Sequence, residues 1–75
     1  MSTKSNPTIF DCYANAAPDE PIFVILARDK SAPVIVRAWA NERIALGLNK
    51  SYDQQITEAI KCAHAMYVWR KIHRP

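Results

Sequence analysis

The longest apolar run of the chain occupies residues 22–27 and follows a set of helix-start signals. Asp19 can accept hydrogen bonds from free backbone N–H groups, and Pro21 suits a first helical turn, where no donor is lost. The run is also typical of a buried β-strand, because Ile, Phe and Val favour strands. No second strand pattern exists to pair with it, so we predict a short helix over residues 20–29.

A second helix is predicted over residues 32–46. Ser31 followed by Pro33 repeats the start signal, and Gly47 stands where a left-handed residue ends a helix. The apolar residues recur at helical spacing and predict one buried stripe. This stripe consists of Val34, Ile35, Ala38, Trp39, Ala45 and Leu46.

A long third helix is predicted from Ser51 onward, since Ser51 and Gln54 have the spacing of a reciprocal capping box and residues 52–72 contain neither Pro nor Gly. Its apolar residues form two stripes, more than one neighbouring helix can cover. The first stripe is Tyr52, Ile56, Ala59, Ile60, Ala63, Met66 and Tyr67; the second is Cys62, Ala65, Trp69 and Ile72.

The N-terminal part shows no sustained periodicity. We predict a flexible N-terminus over residues 1–9 and, over residues 10–75, a single helical domain that opens with an irregular strap anchored by Phe10 and Tyr13. The predicted fold class is therefore all-α: a small three-helix domain with a short helix, a second helix and a long C-terminal helix, plus an irregular N-terminal strap.

Composition supports a packed helical protein, since 49% of the 75 residues are hydrophobic and only one is glycine. A chain this short buries a smaller fraction of the surface of its unfolded form than a longer chain does. Such domains are commonly stabilised further by a disulfide, a metal or a second copy of the chain. Residues 1–7 carry no apolar segment of a secretory signal. We therefore expect a cytoplasmic protein, in the host cell cytoplasm if a phage encodes it, with Cys12 and Cys62 reduced.

Catalytic chemistry is poorly represented. Cys62 and His64 are two residues apart, about 200° around a helix, so they point to opposite sides. The Cys and His residues lack paired metal-ligand spacings, and one glycine cannot form a phosphate-binding loop. Acidic residues near helix starts have a local explanation in the helix dipole. We expect no enzyme activity and no catalytic, cofactor or metal site.

The charge of the chain is uneven. Residues 1–30 hold three basic and four acidic side chains, whereas residues 31–75 hold seven basic and three acidic ones, a net charge of +4. A solvated helix surface explains this excess; a small basic DNA- or RNA-binding regulator is the alternative function. The candidate contacts to nucleic acid are Arg37, Arg43, Lys61, Arg70, Lys71 and Arg74.

Protein association accounts for the surplus of aromatic and apolar residues better than nucleic-acid binding does. The simpler interpretation is that these side chains all lie in the core of a monomer. If they do not, we expect a symmetric homodimer packed through the third helix. The candidate interface residues are Phe23, Trp39, Met66, Tyr67, Trp69 and Ile72.

The chain also resembles small uncharacterised proteins encoded by phages and prophages, over about residues 10–70. The resemblance lies in the segments at residues 19–23, 26–29, 32–33, 36–37 and 39–40, and in the alanine-rich segment 59–69, which ends in a Trp. It implies a small protein from a mobile element that binds a host protein and inhibits or modulates it, including proteins of host defence or regulation. No catalytic motif takes part in the resemblance.

Overall fold

Three helices make up the regular structure of the chain, for which we analysed a computed structural model that describes residues 3–6 and 12–73. In chain order they are α1 (Cys12–Asn15), α2 (Ala32–Ala45) and α3 (Gln54–His73). Within these described ranges there is no β-strand, only an isolated bridge between Thr3 and Asn6. The prediction of an all-α, three-helix domain is confirmed.

The short first helix lies in a different place from the one predicted. Residues 20–26 are irregular, neither helix nor strand, while α1 falls inside the segment expected to be an irregular strap. Glu20 does not begin a helix; its carboxylate accepts from the backbone N–H of Ala17, and its own N–H donates to the Ala17 carbonyl. The β-branched side chains of this run also lose rotamer freedom in a helix, which disfavours it. Of the strap anchors, Tyr13 lies in α1 and Phe10 falls outside the described residues.

Helix α2 begins and ends almost where predicted. Pro33 lies in its first turn and Ser31 precedes it, although the Ser31 hydroxyl donates to Asp29 Oδ1 at 2.6 Å rather than capping the helix. At the other end Gly47 adopts φ 74°, with its N–H on the carbonyl of Ile44 and the Leu48 N–H on that of Arg43. These two bonds form a complete Schellman motif, which confirms the predicted role of Gly47.

Helix α3 starts later than predicted, and the prediction of a capping box formed by Ser51 and Gln54 is wrong. Ser51 lies in a turn, and the first helical bonds run from the N–H groups of Ile56 and Thr57 to the carbonyl of Asp53. The Asp53 carboxylate closes the turn by accepting from the Lys50 N–H at 2.9 Å. Gln54 reaches forward instead, donating to Glu58 at 3.1 Å.

Helices α2 and α3 pack against each other as an antiparallel hairpin, because only residues 46–53 connect them. The buried apolar residues of the described ranges are Ala32, Ala40, Ile56 and Ala63. Three of the four are alanines, so the fully buried side chains fill little volume. The core is thus a narrow contact between two helices.

The predicted stripe of α2 is wrong as a core face. All six of its residues are exposed, whereas Ala32 and Ala40 are buried and Val36 is half-buried. The first stripe of α3 is confirmed in its middle, where Ile56 and Ala63 are buried, but not at its ends. The buried side of α2 carries Ala32 and Ala40 together with the half-buried Val36 and Ile44, so the apolar residues of the predicted stripe lie outside it.

Replacing Gly47 should destabilise the hairpin through backbone conformation alone. A Cβ at this position would meet nothing within 4 Å, but a left-handed φ costs an L-residue about 1–2 kcal/mol. We expect Gly47→Ala to lower the free energy of unfolding by about that amount in urea titrations at one fixed protein concentration. Gly47→Asn, which tolerates this φ better, should lose less; equal stability of all three proteins would contradict the argument.

Candidate interaction surface

The largest continuous apolar feature on α2 is the side that faces away from α3, here named the α2 outer face. It consists of Val34, Ile35, Ala38, Trp39, Ala45 and Leu46. The large members are 42–69% exposed. Glu42 lies on the same side, between Trp39 and Leu46 along the helix. The rest of the face is apolar.

A second apolar surface lies at the end of α3 and consists of Val68, Trp69 and Ile72; we name it the α3 tip. Helix α3 has 20 residues and α2 has 14, so α3 is longer by about 9 Å at 1.5 Å per residue. Because the hairpin turn joins the end of α2 to the start of α3, the last turns of α3 extend past α2. Trp69 is 43% and Ile72 72% exposed.

The Trp69 and His73 side chains stack on each other at the α3 tip. The two rings stack with centroids 4.1 Å apart and planes 15° from parallel. His73 Nδ1 lies 2.9 Å from the Trp69 carbonyl oxygen, which can only accept, so Nδ1 carries the proton. A ring already fixed in this way loses little rotamer freedom when a partner covers it.

The irregular segment of residues 20–26 adds a third group of exposed apolar side chains. Ile22, Val24 and Leu26 are about half to two thirds exposed, and Phe23, at 89%, is the most exposed large apolar residue of ranges 3–6 and 12–73. No helix or strand holds this segment. It therefore presents apolar area without a rigid support.

The six predicted interface residues lie on three parts of the chain: α2, α3 and the irregular segment. Trp69 and Ile72 belong to the α3 tip, Trp39 to the α2 outer face and Phe23 to the irregular segment. Tyr67 is exposed and Met66 is half-buried. Sequence reasoning missed Ile35 and Leu46, because it assigned both to the core.

The predicted nucleic-acid contacts are also dispersed. Arg37 is exposed on α2 and Lys61 and Lys71 are exposed on α3, while Arg70 is half-buried and Arg74 lies outside the described residues. Arg43 is held within the fold, since its Nε donates to Asn49 Oδ1 at 2.7 Å and its guanidinium lies 5.7 Å from the centre of the Trp39 ring. Its side chain thus links the hairpin turn to the α2 outer face.

Asn49 is the centre of a half-buried polar cluster in the turn between α2 and α3. Besides accepting from Arg43, it donates through Nδ2 to Asp53 at 3.0 Å and to Gln55 at 3.3 Å. Its backbone N–H donates to the Arg43 carbonyl at 3.3 Å. One side chain therefore connects the end of α2 with the start of α3. The sequence signal for it was a polar residue two positions after the glycine that ends α2.

The hydrogen bonds around Asp53 favour its ionised form. The Lys50 backbone N–H and then the Asn49 amide lower the pKa of the Asp53 carboxyl below its ordinary value of 3.8. The Ser31 hydroxyl and backbone N–H likewise lower the pKa of Asp29. Both carboxylates close turns beside a helix start, so their negative charge stabilises these turns.

The described residues contain no group of three or more His, Cys, Asp or Glu side chains placed to hold a metal ion. Cys12 is exposed and Cys62 is half-buried, both as reduced thiols. No helix in the part of the chain that the structure describes has the length and apolar character needed to cross a membrane.

Comparison with known proteins gave no relative: the chain matches no family model, no curated protein and no solved structure.

Removing the Asn49 side chain should destabilise the turn between α2 and α3. Asn49→Ala leaves Arg43 Nε, Asp53 and Gln55 without this partner in a half-buried site, and we expect a loss of about 1–2 kcal/mol in the free energy of unfolding. Lys50→Ala, which removes an exposed side chain next in sequence, is the matched control and should change stability by less than about 0.5 kcal/mol. Equal losses in the two variants would contradict a special role for Asn49.

Ionisation of Asp53 should make the stability of the folded chain depend on pH in the acid range. Because its pKa is lower in the folded than in the unfolded chain, the contribution is fully present above about pH 4 and is lost as pH falls through the folded pKa. We expect Asp53→Asn to be less stable than wild type at pH 7 and the difference to shrink toward pH 2, as measured by thermal melting. A difference that is constant over this range would contradict the argument.

Proposed function

We propose that the chain is a small protein-binding module, acting by occupancy of a partner protein rather than by catalysis. The observation that carries this proposal is the imbalance of apolar residues: fifteen large ones are exposed in the described ranges, whereas the buried apolar set is three alanines and one isoleucine. Exposed apolar surface on this scale in a small protein marks interaction sites. The binding unit that we propose is a homodimer.

The α3 tip is the proposed contact surface for the partner. Trp is the residue most enriched among those that dominate binding energy, and Trp69 is held in place by its stack on His73. Arg70 and Lys71 flank the apolar side chains, so a partner with an apolar pocket and an acidic rim would fit best. The tip also extends past α2, where a partner can reach it from several directions.

The nature of the partner is proposed from the sequence. The resemblance of residues 10–70 to phage and prophage proteins supports a host protein as the target, bound in the host cytoplasm and inhibited or modulated there. Nucleic acid is the less favoured partner, since Arg43 is engaged by Asn49 and Trp39 and the other described candidate contacts are divided between α2 and α3.

The proposal is tested by affinity capture from a bacterial host lysate, followed by binding measurements with the purified partner. We expect wild type to retain one specific protein and Trp69→Ala to bind it at least roughly thirty-fold more weakly, the effect of losing about 2 kcal/mol. Circular dichroism establishes that the variant is folded.

Tyr52→Ala is the matched control, because Tyr52 is a 75% exposed aromatic residue outside the α3 tip. It should bind like wild type. If wild type retains no specific protein, or if both variants bind as wild type does, protein binding through the α3 tip is wrong. Binding to duplex DNA with steep salt dependence would instead support the nucleic-acid function.

A further inference from the structure

We infer that residues 22–26 of two copies of this chain pair as an antiparallel two-stranded ribbon, in which Val24 of one copy lies opposite Val24 of the other. The inference rests on the proposed function, which takes a homodimer as the binding unit, and deepens it by naming the segment that joins the copies. It moves the dimer contact from the third helix, where the sequence suggested it, to the irregular segment, and leaves the α3 tip to the partner protein.

The backbone of the irregular segment can become a strand with little rearrangement. Residues 20–26 contain no helix, turn or bend, and only Gly47 among the described residues has a positive φ. Within the part of the chain that the structure describes, the backbone N–H and C=O groups of residues 22–25 take part in no hydrogen bond. A second strand can therefore bond to this segment without breaking an existing backbone bond.

The side chains of the segment are those of a strand that is covered on both sides. In a strand, Ile22, Val24 and Leu26 lie on one side, and Phe23 and Ile25 lie on the other. Such a run is typical of a strand inside a sheet, and Ile, Phe and Val favour strands. The described ranges contain no strand that could pair with it, so the second strand has to come from another molecule.

The charges at the two ends of the segment indicate that this molecule is a second copy. Glu20 precedes the apolar residues and Arg28 follows them, and both are exposed. In an antiparallel pair centred on Val24, the Glu20 carboxylate of each copy faces the Arg28 side chain of the other. Opposite charges across two strands stabilise the pair, whereas a parallel pair would place like charges side by side. The segment is thus complementary to itself, which favours a second copy over the sheet edge of an unrelated protein.

The same register matches the apolar side chains. It places Ile22 opposite Leu26, Phe23 opposite Ile25 and Val24 opposite its own copy. Each of these pairs joins aromatic, β-branched or other large apolar residues, the kinds of cross-strand pair that stabilise a sheet. One register therefore satisfies both the apolar residues and the charges at their ends.

The ribbon ends before Asp29, so this carboxylate does not oppose the pairing. The Asp29 N–H donates to the Leu26 carbonyl at 2.9 Å and closes a turn. Asp29 Oδ1 accepts from the Ser31 N–H at 2.9 Å and from its hydroxyl at 2.6 Å. The Asp29 carboxylate is thus held at the start of α2 instead of facing Asp19 of the second copy.

Pro21 selects the edge that pairs and limits the assembly to two copies. Alternate residues of a strand direct their N–H and C=O groups to the same edge, and Pro21 has no N–H to offer. The pairing edge is therefore that of Ile22, Val24 and Leu26, where the Leu26 carbonyl keeps a second lone pair beside its bond to Asp29. The other edge begins with proline, which disfavours the addition of a third strand.

Oxidative cross-linking of single cysteines tests the inference, with Cys12→Ser and Cys62→Ala as the background. Opposed residues of a hydrogen-bonded antiparallel pair have Cα atoms about 5.5 Å apart, within the range that a disulfide spans. We expect the Val24→Cys protein to form a linked dimer at micromolar concentration, with twice the chain mass of 8.5 kDa. Lys61→Cys, at an exposed site on α3, is the matched control and should not be linked.

Two further cysteine positions test the direction of the strands. Ile22 of one copy faces Leu26 of the other only in the antiparallel ribbon, whereas a parallel pair would place each residue beside itself. The Ile22→Cys protein, mixed with a Leu26→Cys protein that carries an affinity tag, should therefore yield mainly the mixed dimer. Self-linked dimers in its place would overturn the inference.

Charge reversal provides an arm that requires no cysteine. Glu20→Arg and Arg28→Glu each place like charges opposite each other at both ends of the ribbon, and each should weaken self-association about tenfold in light scattering over a concentration series. The double variant restores opposite charges and should associate like wild type. Glu42→Arg makes the same change of net charge as Glu20→Arg at an exposed site on α2 and should also associate like wild type.

Four results would contradict the pairing. They are a folded wild type that stays monomeric through the micromolar range, equal linkage at residues 24 and 61, single charge reversals that associate like wild type, and assemblies larger than two copies. Circular dichroism establishes that each variant keeps its helices. Residues 20, 24 and 28 lie outside the helices, so we expect the helical content to be unchanged by substitutions there.

The two proposals fail in different ways. If self-association is absent but Trp69→Ala still abolishes capture of the partner, the pairing of residues 22–26 is wrong and protein binding through the α3 tip stands. If the Val24→Cys protein is linked as a dimer but wild type retains no partner, the pairing stands and the proposed function is wrong.

Discussion

The packing of α2 against α3 determines which surfaces of this chain face outward. Ala32 and Ala40 on α2 and Ala63 on α3 are buried, whereas the large apolar residues of the α2 outer face are exposed. Close packing gains dispersion energy over the whole length of the contact, and it turns the larger apolar side of α2 toward the solvent. The exposed aromatic residues are thus a direct consequence of how the hairpin closes.

The turn holds this arrangement in register. Gly47 ends α2 in a left-handed conformation, and Asn49 then bonds with residues from both helices, so the entry of α3 is fixed relative to the exit of α2. Arg43 extends the cluster to the Trp39 ring. The polar turn and the apolar outer face are therefore connected through one side chain.

Local features were predictable from the sequence, and features that depend on two segments were not. The bounds of α2 and the role of Gly47 depend on backbone preferences of neighbouring residues, so their sequence signals were sufficient. The buried side of α2 depends on the partner helix: a hydrophobicity pattern ranks Ile35 and Trp39 above alanine, but closeness of packing favours alanine.

Two further misplacements have the same kind of cause. Ser51 and Asp53 are both residue types that favour the position before a helix. The turn in which the Lys50 N–H donates to the Asp53 carboxylate places the helix start after Asp53. At residues 20–26 the helix-start signals are opposed by β-branched residues, which disfavour a helix. Glu20 instead forms two hydrogen bonds with Ala17 in a local turn. The residue types of the candidate interaction surface were predictable from the sequence. Their division among the α2 outer face, the α3 tip and the irregular segment was not.

The brevity of the connection between α2 and α3 also sets the order in which this chain folds. Contacts between segments that are close in sequence form quickly, since closing a loop of about ten residues takes on the order of 10–100 ns, and helical proteins with local contacts fold in microseconds to milliseconds. The helical hairpin therefore forms before any encounter with another molecule. Any association with another molecule would then be a separate, bimolecular step, whose rate depends on protein concentration while the rate of hairpin formation does not.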